Sequence, residues 1–123
     1  MNHSKNIVVL GASSNPSKYS YQAVSLLAEK GYTVFPVHPS GFDVANHKTY
    51  KALNEIKEKV HTLSVYVNAK ISSSMNDDIL KLSPERVIFN PGAESNALAD
   101  ACNRLGIQTE NACTLVLLRT NSF

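Results

Sequence analysis

Tryptophan is absent, and cysteine, glycine and proline are sparse: two, five and five in 123 residues. Each scarcity excludes something. Two cysteines, Cys102 and Cys113, cannot build the disulfide framework of a small secreted scaffold, and with Cys102 on an apparent core stripe both are expected as free thiols. The histidines, His3, His38, His47 and His61, show neither tight helical pairing nor cysteine partners, so no metal site is expected. Long apolar runs are missing too. The stretches 7–10 and 115–118 fall far short of the about 7–15-residue core of a secretion signal and of the ~20 residues of a membrane span, so the expected location is the cytoplasm, with no membrane partner. Nor does charge of one sign dominate. Twelve basic and ten acidic side chains leave +2, and the lysines are scattered rather than interleaved with aromatics, so nothing calls for nucleic acid. At this length a single domain over 1–123 is expected, with no repeat or linker-like tract to divide it.

What is present is alternation. Short apolar runs at 7–10, 33–37, 63–67 and 87–89, and a last strand from Ile107, are separated by helix-period segments. That is the pattern of a parallel sheet with crossover helices. The 7–10 run is apolar on both faces, as a central strand of such a sheet must be. Ala23, Val24, Leu26 and Leu27 form the buried stripe of one helix, closed by Gly31; Ala97, Leu98, Ala101, Cys102 and Leu105 form another, closed by Gly106. The signal from 40 to 60 is weaker, a loop and a short helix through Tyr50, Leu53 and Ile56. Ser72, Ser73 and Ser74 read as caps for a helix bearing Met75, Ile79 and Leu82, with Asp77 and Asp78 in its first turn. The period of 113–118 fits strand or helix. Right-handed crossovers then predict an α/β fold: a three-layer, Rossmann-like, doubly wound parallel sheet of about five strands in the order 3-2-1-4-5. Ligands bind beyond the carboxyl ends of such strands, which places the loops 11–18, 38–41, 68–70 and 90–95 along one functional edge.

The first of these loops carries the strongest local signal. An apolar strand runs into Gly11-Ala12-Ser13-Ser14-Asn15-Pro16 and then a helix, an arrangement whose free N–H groups and helix dipole attract anions. Asn15 reads as a helix cap, Pro16 as a first helical residue, and Lys18 adds charge beside them. A dinucleotide fingerprint needs three glycines and an acid at the end of the second strand. Here Gly11 stands alone, Ser13 and Ser14 fill the place of the second glycine, and His38 lies where the acid belongs, which argues against NAD(P) and flavin dinucleotides. No Gly-Lys-Ser/Thr follows, so a nucleoside triphosphate loop is excluded as well. A plain strand-to-helix turn is the alternative reading of the loop taken alone, and the less favoured one.

Gly11-Ala12-Ser13, Lys18 and Ser20, Gly31-Tyr32 running into Val37-His38-Pro39, the Asn90-Pro91-Gly92 turn and Cys113 together resemble the small stand-alone CoA-binding proteins. These are similar in turn to the N-terminal domain of the succinyl-CoA synthetase alpha subunit. The resemblance covers nearly the whole chain. It implies that Gly11, Ala12, Ser13 and Ser14, with Asn15 and Lys18, cradle the phosphates of CoA or an acyl-CoA. It further implies nucleotide contacts from His38, Pro39 and Ser40, and adenosine contacts from Val67, Asn68 and Ala69. Two departures stand out. The family commonly reads Asn-Pro-Lys where this chain has His38-Pro39-Ser40, so a phosphate-facing lysine is missing; Lys48 or Lys70 is the expected substitute. Around strand four, Phe89-Asn90-Pro91-Gly92-Ala93-Glu94 replaces the common Trp-x-Gln-x-Gly.

Two functions follow for the same crevice. The first is non-catalytic binding of CoA or acyl-CoA, since the synthetase domain bearing the phosphorylated histidine has no counterpart in these residues. The alternative is a small enzyme acting on a phosphorylated or thioester substrate with His38 or Glu94 as acid/base. By position His38 reads as a contact rather than a base, Asn90 and Glu94 as turn and helix-start residues, and Cys113 as packing. The partner expected is a nucleotide-type small molecule; the sequence gives no signal for a protein partner or an oligomeric state.

Overall fold

The computed structural model describes residues 5–123. Five strands, β1 (Asn6–Leu10), β2 (Thr33–Val37), β3 (Thr62–Val65), β4 (Arg86–Phe89) and β5 (Gln108–Asn111), form one all-parallel sheet. Alternate residues of β1 feed its two faces. Ile7 and Val9 pack with Val34, Val24, Leu27 and Leu118 on one side; Val8 and Leu10 pack with Phe35, Leu63, Val65, Ile79 and Leu98 on the other. The first face is covered by α1 (Tyr19–Glu29) and α5 (Thr114–Arg119), the second by α2 (Ala69–Ser73), α3 (Asn76–Leu82) and α4 (Asn96–Arg104). This is the expected three-layer arrangement. Residues 113–118, ambiguous in period, resolve as the cap and body of α5.

The strand order is 2-1-3-4-5, which corrects 3-2-1-4-5. β1 pairs with β2 on one side and with β3 on the other, Leu10 standing opposite both Val37 and Val65. The reason lies in β2. The Pro36 carbonyl accepts from the Tyr50 N–H at 2.9 Å, and the His38 N–H donates to the Tyr50 carbonyl at 2.9 Å, on the side away from β1. The N–H that Pro36 lacks falls on that outer side, so β2 cannot carry a full strand there and must lie at the edge. The chain after β2 therefore crosses β1 before forming β3. On its way it makes a tight turn at Ala45 and Asn46, both at positive φ, that closes a Val44–His47 bridge. The short helix expected through Tyr50, Leu53 and Ile56 is only a 3-10 turn, Leu53–Glu55.

Two helix starts also differ from expectation. α1 begins at Tyr19 rather than Pro16, because the Asn15 side chain turns forward and accepts from the Ser17 N–H at 3.0 Å and the Ser17 hydroxyl at 2.9 Å. The serines at 72–74 do not cap a helix. Their hydroxyls donate back to the carbonyls of Ala69, Lys70 and Ile71 at 3.4, 2.9 and 2.7 Å, at the end of α2, and α3 starts separately with Asp77 and Asp78 in its first turn. Gly31 and Gly106 stop α1 and α4 as expected, at φ +94° and +79°.

Candidate functional site

Three strand ends meet at Gly11. Its N–H and that of Ala12 both donate to the Val37 carbonyl, at 3.0 and 3.2 Å, while the Tyr66 N–H donates to the Leu10 carbonyl at 2.9 Å. Gly11 sits at φ +88°, and a Cβ there would stand 2.9 Å from Val67 Cγ1 and 3.3 Å from the Tyr66 and Val67 backbone. The position needs glycine for conformation and for space. With the observed strand order, winding reverses between β1 and β3, so Gly11 and Val67 flank the crevice where this class of sheet binds ligands.

A cavity of about 240 Å³ opens at this point. Gly11, His38, Pro39 and Val67, four of the residues expected in the site, line it together. The remaining wall is mostly apolar, from Leu10, Val37, Leu53, Ile71 and Met75, with Lys51 and Asp78 as its charged members. His38 is oriented by its own turn: Nδ1 accepts from the Ser40 N–H at 3.0 Å and lies 2.9 Å from the Ser40 hydroxyl. An Nδ1 that accepts leaves the proton of the neutral ring on Nε2.

The other expected residues lie beside the cavity rather than in it. Ala12 is buried in the α1 face of the core. Ser13 is half-buried and its hydroxyl accepts from the Asn15 N–H at 3.1 Å; Ser14 and Asn15 are exposed on the loop. Lys18, also exposed, occupies the cap position of α1 and its side chain makes no cap bond to the first N–H groups of that helix. Ser40 is exposed and spends its hydroxyl on His38. Asn68 caps α2, Oδ1 accepting from the Ile71 N–H at 3.0 Å, and Ala69 is the first residue of that helix. Neither expected substitute lysine lines the cavity: Lys48 lies 5.0 Å over the Tyr50 ring, and Lys70 is exposed on α2. Lys51 does line it. Sequence reasoning missed Lys51, Ile71, Met75 and Asp78. Met75 read as core and Asp78 as a helix-start acid, and both readings are compatible with a face that also walls a cavity.

Below the ends of β3 and β4 lies a buried polar cluster. Asn90, 1% exposed, donates to the Ser64 hydroxyl and the Val65 carbonyl, each at 2.9 Å, and its Oδ1 accepts from the Thr114 N–H at 2.8 Å. The Ser64 and Thr114 hydroxyls are 2.8 Å apart. The Tyr66 hydroxyl approaches both without a hydrogen bond of good geometry, and burial, with Cys113 nearby, pushes its pKa up to about 12. Burial likewise raises the Cys102 thiol, and both cysteines are free. Glu94 is not part of the cavity wall; its carboxylate accepts from the Gly92 N–H at 2.9 Å. His3 lies outside the described residues. Among the described residues no helix is long and apolar enough to cross a membrane.

A family model described as a CoA binding domain matches residues 5–119. A crystal structure of an uncharacterized protein aligns with a TM-score of 0.92 and 34% identity, over 99% of this chain and 100% of its own. A Thermus thermophilus protein aligns at 0.87 and 28%, over 97% and 90%. The dinucleotide forming acetyl-coenzyme A synthetase 1 of Ca. Korarchaeum cryptofilum shares the fold at 0.72 and 20%, this chain spanning 26% of it.

Proposed function

The chain belongs to the CoA binding domain family, and on that premise we propose that it holds CoA or an acyl-CoA as a single binding domain without chemistry of its own. The observation that carries the reading is the mostly apolar cavity at the β1–β3 reversal, which Gly11, His38, Pro39 and Val67 line together. The nucleotide base occupies the cavity against Val67, Ile71 and Met75, and Asp78 is an acceptor for its amino group. The chain of phosphates passes the Gly11 turn and meets the backbone of Ser13 and Ser14, since the Gly11 and Ala12 N–H groups are taken by the Val37 carbonyl, and then the first turn of α1. Binding without catalysis is supported by the two candidate acid/base groups: His38 has its acceptor nitrogen occupied by Ser40, and Glu94 is bonded to Gly92.

Isothermal titration with CoA, dephospho-CoA, NAD and NADP tests the reading. CoA is expected to bind with the highest affinity, and CoA no tighter than NAD would overturn it. Acetyl-CoA incubated with the protein is expected to be recovered intact; its turnover would overturn the non-catalytic part alone.

A further inference from the structure

We propose that Lys51 is the cation that recognises a phosphate monoester on the ligand's ribose, and so makes the site selective for a phosphorylated nucleoside. This rests on the CoA reading above, in which such a group is the 3′-phosphate. Of the charged groups on the cavity wall, Lys51 is the one permanent cation, and it forms no ion pair among the described residues. Its backbone is fixed. Tyr50 bridges Val37 in parallel register through the two 2.9 Å bonds to Pro36 and His38, which brings the next residue, Lys51, alongside His38 at the end of β2. Its stem is placed as well: it lies across Gly41, where an added Cβ would stand 2.9 Å from Lys51 Cε and 3.2 Å from Cγ. Gly41, at φ +69°, therefore leaves the room in which the stem of the exposed Lys51 side chain lies, beside the turn that carries His38 and Ser40.

The chemistry of the mouth fixes the class of ligand group. His38, with its proton on Nε2, and Lys51, its neighbour across the Val37–Tyr50 bridge, are the side-chain donors of the wall, and Asp78 is its carboxylate. An anion on the ligand is drawn to His38 and Lys51 and repelled by Asp78. Ser40 cannot serve there, because its hydroxyl is turned onto His38. An ammonium is a compact point charge suited to a phosphate dianion, and a charge-assisted hydrogen bond of this kind is worth roughly tenfold or more in affinity.

The test is titration of the wild-type protein and of Lys51→Met, Lys51→Arg and Lys48→Met with CoA and with dephospho-CoA, circular dichroism confirming the fold of each. Wild type is expected to prefer CoA by about tenfold or more. Lys51→Met should reduce that preference to within about twofold, Lys51→Arg should retain most of it, and Lys48→Met all of it. Equal wild-type affinity for the two ligands overturns the inference and leaves the CoA reading standing. So does a Lys51→Met variant that keeps the preference, or that weakens both ligands equally. A wild-type protein that binds neither ligand overturns both.

Discussion

Gly11 answers two demands that can be separated by comparison with Gly92. Both residues lie at positive φ, +88° and +91°, but a Cβ on Gly92 meets nothing within 4 Å, whereas one on Gly11 collides with Val67 and the Tyr66 backbone. Gly92→Ala is expected to carry only backbone strain, about 1 kcal/mol. Gly11→Ala adds overpacking against a chain that cannot retreat from β1, about 2–4 kcal/mol in total. Denaturant midpoints of the two variants measure the difference, and equal midpoints would mean that Gly11 is needed for its dihedral angle alone. At this scale the sequence was informative where chemistry is local. Gly11, His38, Pro39 and Val67 all reach the cavity because each sits at or just past a strand end that the apolar pattern located. Lys51 was illegible for the opposite reason. Nothing near it in sequence reveals that Tyr50 pairs with β2, and without that pairing Lys48 and Lys70 look equally good.

Among the elements, the informative failures are those where a local rule was outvoted or overlooked. The strand order was readable: Pro36 inside the second run marks an edge strand, which excludes the order that buries β2 between two neighbours. The start of α1 was not, because Asn15 and Pro16 offer a good helix entry and the structure uses Asn15 for a turn onto Ser17 instead. Asn90 shows an element held by a single side chain. It ties the end of β4 to β3 and supplies the acceptor for the first N–H of α5, inside a region with no water-exposed substitute. Asn90→Leu, with the same number and branching of side-chain heavy atoms but bulkier methyl groups, leaves the Thr114 N–H without its acceptor and removes a donor from Ser64, a loss of about 3 kcal/mol or more. Amide exchange should accelerate selectively in α5, Thr114–Arg119. A variant with unchanged denaturant midpoint would show that α5 is held by the packing of Leu115 and Leu118 alone.

Across the whole molecule, the two faces of the sheet divide the work. The α3 face provides the cavity, the α1 face provides the uncapped helix start, and a ligand engaging both must pass over Gly11 at the carboxyl edge. That path predicts where binding shows itself in hydrogen exchange. A ligand at a hundred times its dissociation constant stabilises the bound form by about 2.7 kcal/mol, which slows by roughly a hundredfold any exchange that requires an opening incompatible with binding. The crossover after β2 is the segment with most to gain. It is joined to the sheet by the Tyr50 bridge, closes on itself at Val44 and His47, and carries Lys51 and Leu53 into the cavity wall, so its opening dismantles the site. Protection by CoA is therefore expected at residues 37–41, 51–53 and 67–75 and at the Gly11 turn. The amino edge of the sheet, where Arg86 pairs with Glu110 at 3.3 Å and stacks 4.5 Å over Phe123, opens without disturbing the cavity and should be unchanged. Protection concentrated on that edge would place the ligand at the opposite end of the strands and remove the basis for the Lys51 assignment.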